Sequence, residues 1–162
     1  SMQIENNRVV SIAYTLKDND DNIIDQSEDG SFCYLHGASN IIPGLENALT
    51  GKGSGDELSV TVPPEEGYGV RDDARIQNVP REMFPADQEI TTGMQFHAQS
   101  PDGHAIMVTV AAVEDDQITV DGNHPLAGVQ LNFVVKIMDI REATAEEIEH
   151  GHVHGPEGHQ HD

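Results

Sequence analysis

Across the first seventy residues only one stretch has the spacing of a helix, and that scarcity limits the folds open to the chain. In NIIPGLENALTGKGSG, residues 40–55, Ile42, Leu45 and Leu49 fall at i, i+3 and i+7 and so share one helical face. Asn40 is placed to cap the start, Pro43 sits in the first turn where its missing N–H costs little, and Gly51 can close the helix in the left-handed conformation. Elsewhere the apolar period is two. VVSIAYTL, residues 9–16, sets Val10, Ile12, Tyr14 and Leu16 on one side of a half-buried strand. DNDDN at 18–22 is a turn, because Asp and Asn bond their own backbone there. IIDQS (23–27) and FCYLH (32–36) read as separate short strands, and Leu58, Val60 and Val62 alternate until Pro63 and Pro64 end that strand. In the last strand, 129–141, Leu131, Phe133, Val135 and Ile137 form the inward face. Repeated short strands with one short helix predict an α+β, mostly β fold, an antiparallel sheet wrapped on that helix.

Between Gly69 and Gly122 the texture changes. RDDAR (71–75) is highly charged, VPREMF (79–84) reads as a strand end and a short helical turn, and MQFHA (94–98), AIMVTVAAV (105–113) and QITVD (117–121) read as three strands. The chain leaves from a Pro/Gly-rich loop at 63–69 and returns at GNHPLAG, 122–128, as an insertion at an exposed loop tip does. From Ala143 the sequence turns acidic and of low complexity, and His150, His152, His154, His159 and His161 lie in the last thirteen residues. Such composition predicts a flexible tail. The expected map is therefore a discontinuous body, 2–70 plus 124–142, a small β-rich inserted domain, 71–123, and an acidic, His-rich tail, 143–162.

Charge narrows the partners. Lys and Arg number 8 against 29 Asp and Glu, a formal net charge of −21. That balance excludes phosphate-backbone binding, which needs clustered cations, and attraction to anionic membranes. It favours basic chains and metal cations. The longest apolar runs have four or five residues, far short of the ~20 needed to span a bilayer. No basic, apolar, small-residue signal pattern opens the chain, and a single cysteine, Cys33, excludes an internal disulfide and fits a reducing compartment. A cytoplasmic monomer that meets neither nucleic acid nor membrane is the expectation.

Several short motifs, in their order and spacing, carry a resemblance. IIDQS, FCYLHG, NIIPGLENAL, VPPEEGYG and LNFVVKIMDI resemble the FKBP family of peptidyl-prolyl isomerases. YLHG, GLENAL, AVEDD, VDGNHPLAG and IREATAEE followed by HGHVHG are similar to the bacterial SlyD-type branch, with a chaperone domain inserted in the flap and a His-rich metal-binding tail. The resemblance spans almost the whole chain. It implies an FKBP-like body, an insert-in-flap domain, and a pocket on Tyr14, Ile24, Asp25, Phe32, Ile41, Ile42, Leu45, Tyr68 and Phe133. Tyr14, Asp25, Tyr68 and Phe133 would be its catalytic residues and the others its substrate-binding walls. The Ile42 N–H and the Tyr68 hydroxyl would hold carbonyls flanking the proline, with Asp25 orienting polar groups at the rim.

The residues read without the family are compatible with this and also with plain packing, since aromatics on apolar faces commonly serve a core. Asp25 is the odd member: an acid beside Ile23 and Ile24 needs a partner. Leu45 stands where macrolide-binding members carry tryptophan, and Ile24 where phenylalanine is common there, which points away from tight macrolide binding and leaves peptide binding intact. No nucleophile, cofactor or proton transfer is called for. In the insert, Val79, Met83, Phe84, Met94 and Phe96, with Ile90, Ile106 and Met107, are the apolar residues either for binding unfolded chains or for a small core. Methionine suits varied partners, and a ~50-residue subdomain buries little. The dispersed tail imidazoles suit Ni²⁺, Cu²⁺ or Zn²⁺, with Ni²⁺ or Zn²⁺ expected. His36, His97, His104 and His124 read as structural or surface histidines. Two functions follow: an isomerase and folding chaperone for proline-containing, unfolded polypeptides, or a metal-delivery protein meeting metalloenzyme maturation factors.

Overall fold

The computed structural model describes residues 2–99 and 102–154. The chain divides into two compact units, one formed by the segments up to Gly69 and from Gly128, the other by Val70–Ala127. Residues 124–127 group with the second unit, where His124 accepts through Nδ1 from the Leu126 N–H and through its carbonyl from the Ala127 N–H.

In the first unit, β1 (Arg8–Lys17), β2 (Ile23–Leu35), α1 (Pro43–Leu49) and β3 (Glu57–Val62) come before the insertion. In the second, β4 (Ile76–Pro80), β5 (Gln95–Gln99), β6 (Ala105–Val113) and β7 (Gln117–Asp121) form the inserted sheet. The chain then returns to the first unit as β8 (Leu131–Glu142) and α2 (Ala145–His150). The two four-stranded sheets are antiparallel throughout, ordered β2-β1-β8-β3 and β4-β7-β6-β5. β8 pairs with both β1 and β3 and is the central spine of the first sheet. Its expected inward residues Leu131, Phe133, Val135 and Ile137 are all buried, and they share one core with Val10, Ile12, Leu16, Leu45, Leu49, Val60 and Val62.

Of the four register shifts among the described residues, one sets Asp25 rather than Ile24 opposite Leu16, and two bulges reshape the faces of the first sheet. The stretches read as separate strands at 23–27 and 32–36 are one strand, interrupted by a wide bulge. Tyr14 faces Ser27 and Ile12 faces Phe32, so Glu28–Ser31 stand opposite Ala13 alone. Asp29 holds the excursion by accepting from the Ser31 N–H and hydroxyl at 3.0 and 2.7 Å. On β8, Met138 is the extra residue between the partners of Ser11 and Ile12. It flips the phase, so that Ile140 rather than Asp139 is buried. A period-two reading has no means of seeing either bulge.

The helix forms where its spacing predicts, but not with the expected cap. Pro43 occupies its first turn and Ile42, in extended conformation, precedes it without any side-chain cap. Asn40 works elsewhere: its Oδ1 accepts from the Leu35 N–H, and its Nδ2 donates to the carbonyls of Ala38 and Gly151. Gly44 costs the helix about 1 kcal/mol against alanine. It is needed because a Cβ there would come within 2.7 Å of Val62 Cγ1, so its absence lets α1 settle on β3.

The tail expected to be flexible from Ala143 begins instead as a capped helix. Thr144 and Glu147 make a reciprocal capping box, and Gly151, with φ +77°, closes α2 in the left-handed conformation. Among the described residues no helix is long and apolar enough to cross a membrane.

Candidate functional site

The first unit gathers most of the expected pocket at one end of its sheet. Tyr14 packs edge-on against Phe32, centroids 5.4 Å apart, and lies 6.4 Å from Phe133 at a tilt of 54°. The register explains the meeting: Tyr14 and Leu16 alternate on β1, and Phe133 faces Leu16 from β8. The β2 bulge sets Phe32 opposite Ile12, and a separate shift at Ile24 sets Asp25 opposite Leu16, so both fall on the face of Tyr14. Leu45 and Phe133 are buried, whereas Tyr14, Ile24, Phe32, Ile41 and Ile42 are half-buried and pack on the same core. Tyr68, between Gly67 and Gly69 after a one-turn 3₁₀ helix at Pro64–Glu66, is 40% exposed.

Asp25 is exposed and not the core acid expected of it, yet it has a partner. The Tyr14 hydroxyl donates to its Oδ2 at 2.7 Å. Burial first, then this bond and the carboxylate's charge, and lastly the Tyr68 phenol push the Tyr14 phenol well above the ordinary tyrosine range. Tyr14 is therefore a fixed neutral donor. The arrangement offers an apolar, aromatic surface with polar groups at its edge and no nucleophile, which is the chemistry of non-covalent binding.

The same core holds a fully buried tyrosine that the sequence reading passed over. Tyr34 hydrogen-bonds His36 Nδ1 at 2.9 Å, and His36 Nε2 meets Thr50 Oγ1 at 2.8 Å. Thr50 also donates to the Glu46 carbonyl, so its oxygen accepts from His36. That assigns the proton of the neutral imidazole to Nε2 and makes Tyr34 the donor to Nδ1. Burial holds His36 below the usual histidine range.

In the inserted unit, Val79, Phe84, Met94 and Phe96 lie together, half-buried against Ile90, Val108, Val110, Ile118 and Val120. The Phe84 and Phe96 rings meet edge-on at 5.2 Å. Met83 stands apart at 73% exposure, and Met107 is 44% exposed. An open groove of about 600 Å³ runs between Phe84 and the acids Glu82, Asp115 and Asp116. Arg81 shapes its wall, its guanidinium donating to the carbonyls of Phe84, Pro85 and Gln88.

At the tail, His150, His152 and His154 present ligand atoms that all lie within 4.8 Å of one another. His150 Nδ1 and His154 Nε2 are 2.9 Å apart, and the rings of His152 and His154 stack at 4.9 Å. Three convergent imidazoles fit a borderline transition metal. His159 and His161 lie outside the described residues. The sequence reading missed what holds the triad. Glu147, on α2, is fully buried and bonds Arg141 through both oxygens. Those bonds are the main reason its carboxyl is pushed down to about 2.

Comparison with known proteins bears on these features together. Residues 1–106 match the family described as FKBP-type peptidyl-prolyl cis-trans isomerase. The chain is 44% identical over 155 residues to the FKBP-type peptidyl-prolyl cis-trans isomerase SlyD of Yersinia pestis, covering 95% of this chain and 79% of that protein. It is 44% identical over 154 residues to the protein so named in Vibrio cholerae, covering 94% and 76%. For the Escherichia coli K12 protein the identity is 43% over 155 residues, covering 95% and 79%.

Proposed function

The chain belongs to the SlyD-type FKBP peptidyl-prolyl cis-trans isomerases, and we propose that it turns X–Pro bonds by desolvation on the Tyr14–Phe32–Phe133 surface while the inserted unit holds unfolded polypeptide. One observation carries the reading: an aromatic cluster open at the end of a sheet, with Asp25 fixed at its edge by Tyr14 at 2.7 Å. The tertiary amide before proline is held planar by resonance, with a rotation barrier of ~18–20 kcal/mol. Twisting breaks that resonance and reduces the amide's charge separation. A dry apolar surface disfavours the polar planar form relative to the twisted one, and shape selects a bent chain near that geometry. Phe133 and Leu45 form the floor, Ile24, Phe32, Ile41 and Ile42 the walls. Asp25, the Ile42 N–H and the Tyr68 hydroxyl orient substrate carbonyls and amides. No cofactor enters.

The inserted unit contributes remote binding. Exposed Met83 and the groove lined by Phe84 suit an extended chain with apolar and basic residues, because acids rim the groove. Holding a client there raises its effective concentration at the isomerase surface. The cytoplasm is the proposed site of action and a monomer the working form. The test pairs a proline tetrapeptide with proline-limited refolding of a protein. Replacing residues 71–123 by a short loop should spare turnover of the first and slow the second. Equal losses on both would show that the insert builds the isomerase site.

A second reading coexists with the first and rests on the imidazole triad: the tail binds Ni²⁺ or Zn²⁺ for delivery to metalloenzyme maturation factors. His150, His152 and His154 would hold the ion, whose binding requires neutral imidazoles and so weakens below about pH 6. Ending the chain after Glu149 should remove at least one equivalent of Ni²⁺ in calorimetry at high salt, where the diffuse attraction of the acidic surface is screened. Unchanged stoichiometry and affinity would place metal binding elsewhere.

A further inference from the structure

We propose that the ion pair between half-exposed Arg141 and buried Glu147 is the link through which metal held by the tail histidines stabilises the β-sheet body. The inference rests on the reading that His150, His152 and His154 bind a metal, and it adds a positioning residue and an energetic consequence to that reading.

Glu147 is fully buried and its carboxylate accepts four hydrogen bonds. Oε1 takes Arg141 Nη1 at 2.9 Å and the Thr144 N–H at 2.9 Å; Oε2 takes Arg141 Nη2 at 2.8 Å and the His154 N–H at 2.8 Å. Its main-chain carbonyl accepts from the Gly151 and His152 N–H groups at 2.8 and 3.2 Å. One residue thus fixes the backbone of two members of the triad, while Arg141 fixes that residue to β8, the spine of the first sheet. A second tie runs from Asn40 Nδ2 to the Gly151 carbonyl at 2.9 Å. With both oxygens already engaged by paired donors, Glu147 has no role as a metal ligand. Its part is to hold three imidazoles together before an ion arrives, removing ordering entropy that a loose tail would lose on binding.

Linkage makes the effect reciprocal. If docking of the tail on β8 favours the metal-ready triad, metal must favour docking of the tail and raise the stability of the body it docks on. Glutamine is the sharpest probe because it is isosteric. Whichever way the amide turns, its NH₂ faces two N–H donors, Arg141 with Thr144 or Arg141 with His154.

The experiment measures Ni²⁺ binding by calorimetry at fixed high salt, and the thermal unfolding midpoint with and without Ni²⁺, on the full chain. The variants are Glu147→Gln, Arg141→Lys and the double variant His150→Ala/His154→Ala. The wild type should bind and its midpoint should rise with Ni²⁺. Glu147→Gln should bind about tenfold more weakly or worse, the usual scale for groups that support metal ligands, with a smaller rise. Arg141→Lys keeps the charge but loses the two-pronged contact. It should shift both readouts in the same direction, and it serves if Glu147→Gln does not fold. Wild-type affinity in both variants, or a wild-type midpoint indifferent to bound Ni²⁺, overturns the link while leaving tail binding intact. Wild-type binding by the histidine double variant overturns the tail reading, and the link with it.

Discussion

Replacing Tyr14 with phenylalanine removes one oxygen and leaves the ring between Phe32 and Phe133. The substitution therefore isolates the hydroxyl's bond to Asp25 from the packing of the site. A hydrogen bond to a charged group contributes ~1.5–3 kcal/mol when protected from water. Asp25 is exposed, so water replaces much of what the carboxylate loses, and about 1 kcal/mol is the expected cost. For a unit of this size that lowers the unfolding midpoint by roughly 4 °C. If Asp25 acts at the substrate only when Tyr14 aims it, kcat/KM on a proline tetrapeptide should fall about fivefold, the same free energy at the transition state. Asp25→Ala should fall at least as far. The double variant should be no worse than Asp25→Ala alone, because the hydroxyl has nothing left to orient. Tyr14→Ala, which leaves a hole between two rings, should cost ~3–5 kcal/mol instead. Losses from Tyr14→Phe and Asp25→Ala that simply add would refute the argument, as would an unchanged kcat/KM in Tyr14→Phe beside a damaged Asp25→Ala.

Tyr68→Ala should lower tetrapeptide kcat/KM while shifting chemical denaturation by no more than ~0.5 kcal/mol, because an exposed side chain contributes little to the fold; equal stability and equal activity would remove Tyr68 from the site. Phe133→Ala, buried in the core, should lower both, with ~3–5 kcal/mol lost in urea unfolding. Acid sensitivity should come in two ranges. His36 titrates lower in the folded chain than in the unfolded one, so its contribution is whole above about pH 6.5 and is lost as the pH falls. The Glu147 carboxyl drops from 4.5 to about 2 on folding, so its contribution is whole above about pH 4.5 and lost on the way to 2. Unfolding midpoints measured from pH 8 to 2 should fall in both ranges, and His36→Phe should flatten the upper one alone.

What the sequence makes plain follows from alternation and from order. The inward face of β8, three of the four strands of the inserted sheet and the apolar face of α1 are all periodic, and they appear where the periods place them. The motifs of the pocket stand in a chain whose residues 1–106 match the FKBP family. What stays hidden depends on contacts that period cannot encode. Asp25 reaches Tyr14 because a register shift leaves Ile24 unpaired and sets Asp25 opposite Leu16, and Phe32 shares that face because Glu28–Ser31 bulge opposite Ala13, where the letters EDGS suggest a turn as readily as an interrupted strand. Asn40 has the type and position of a helix cap, yet it holds two other backbone segments, since a long-range partner competes with the local one.

The tail teaches the sharper lesson about composition. Thr144-Ala-Glu-Glu147 carries a capping box, but it stands in a run whose acidity signals disorder. Acidity counts residues and does not say which of them water solvates. Of 29 acids in the sequence, Glu147 is the one that is fully buried among the described residues, and burial of an unpaired carboxylate would cost several kcal/mol. A cation six residues upstream, near the end of β8, joins the Thr144 and His154 N–H groups in making that burial tolerable. The order of this segment therefore rests on Arg141 rather than on the segment's own composition. A chain of the same composition, with the arginine moved away from β8, would have every reason to leave the tail loose.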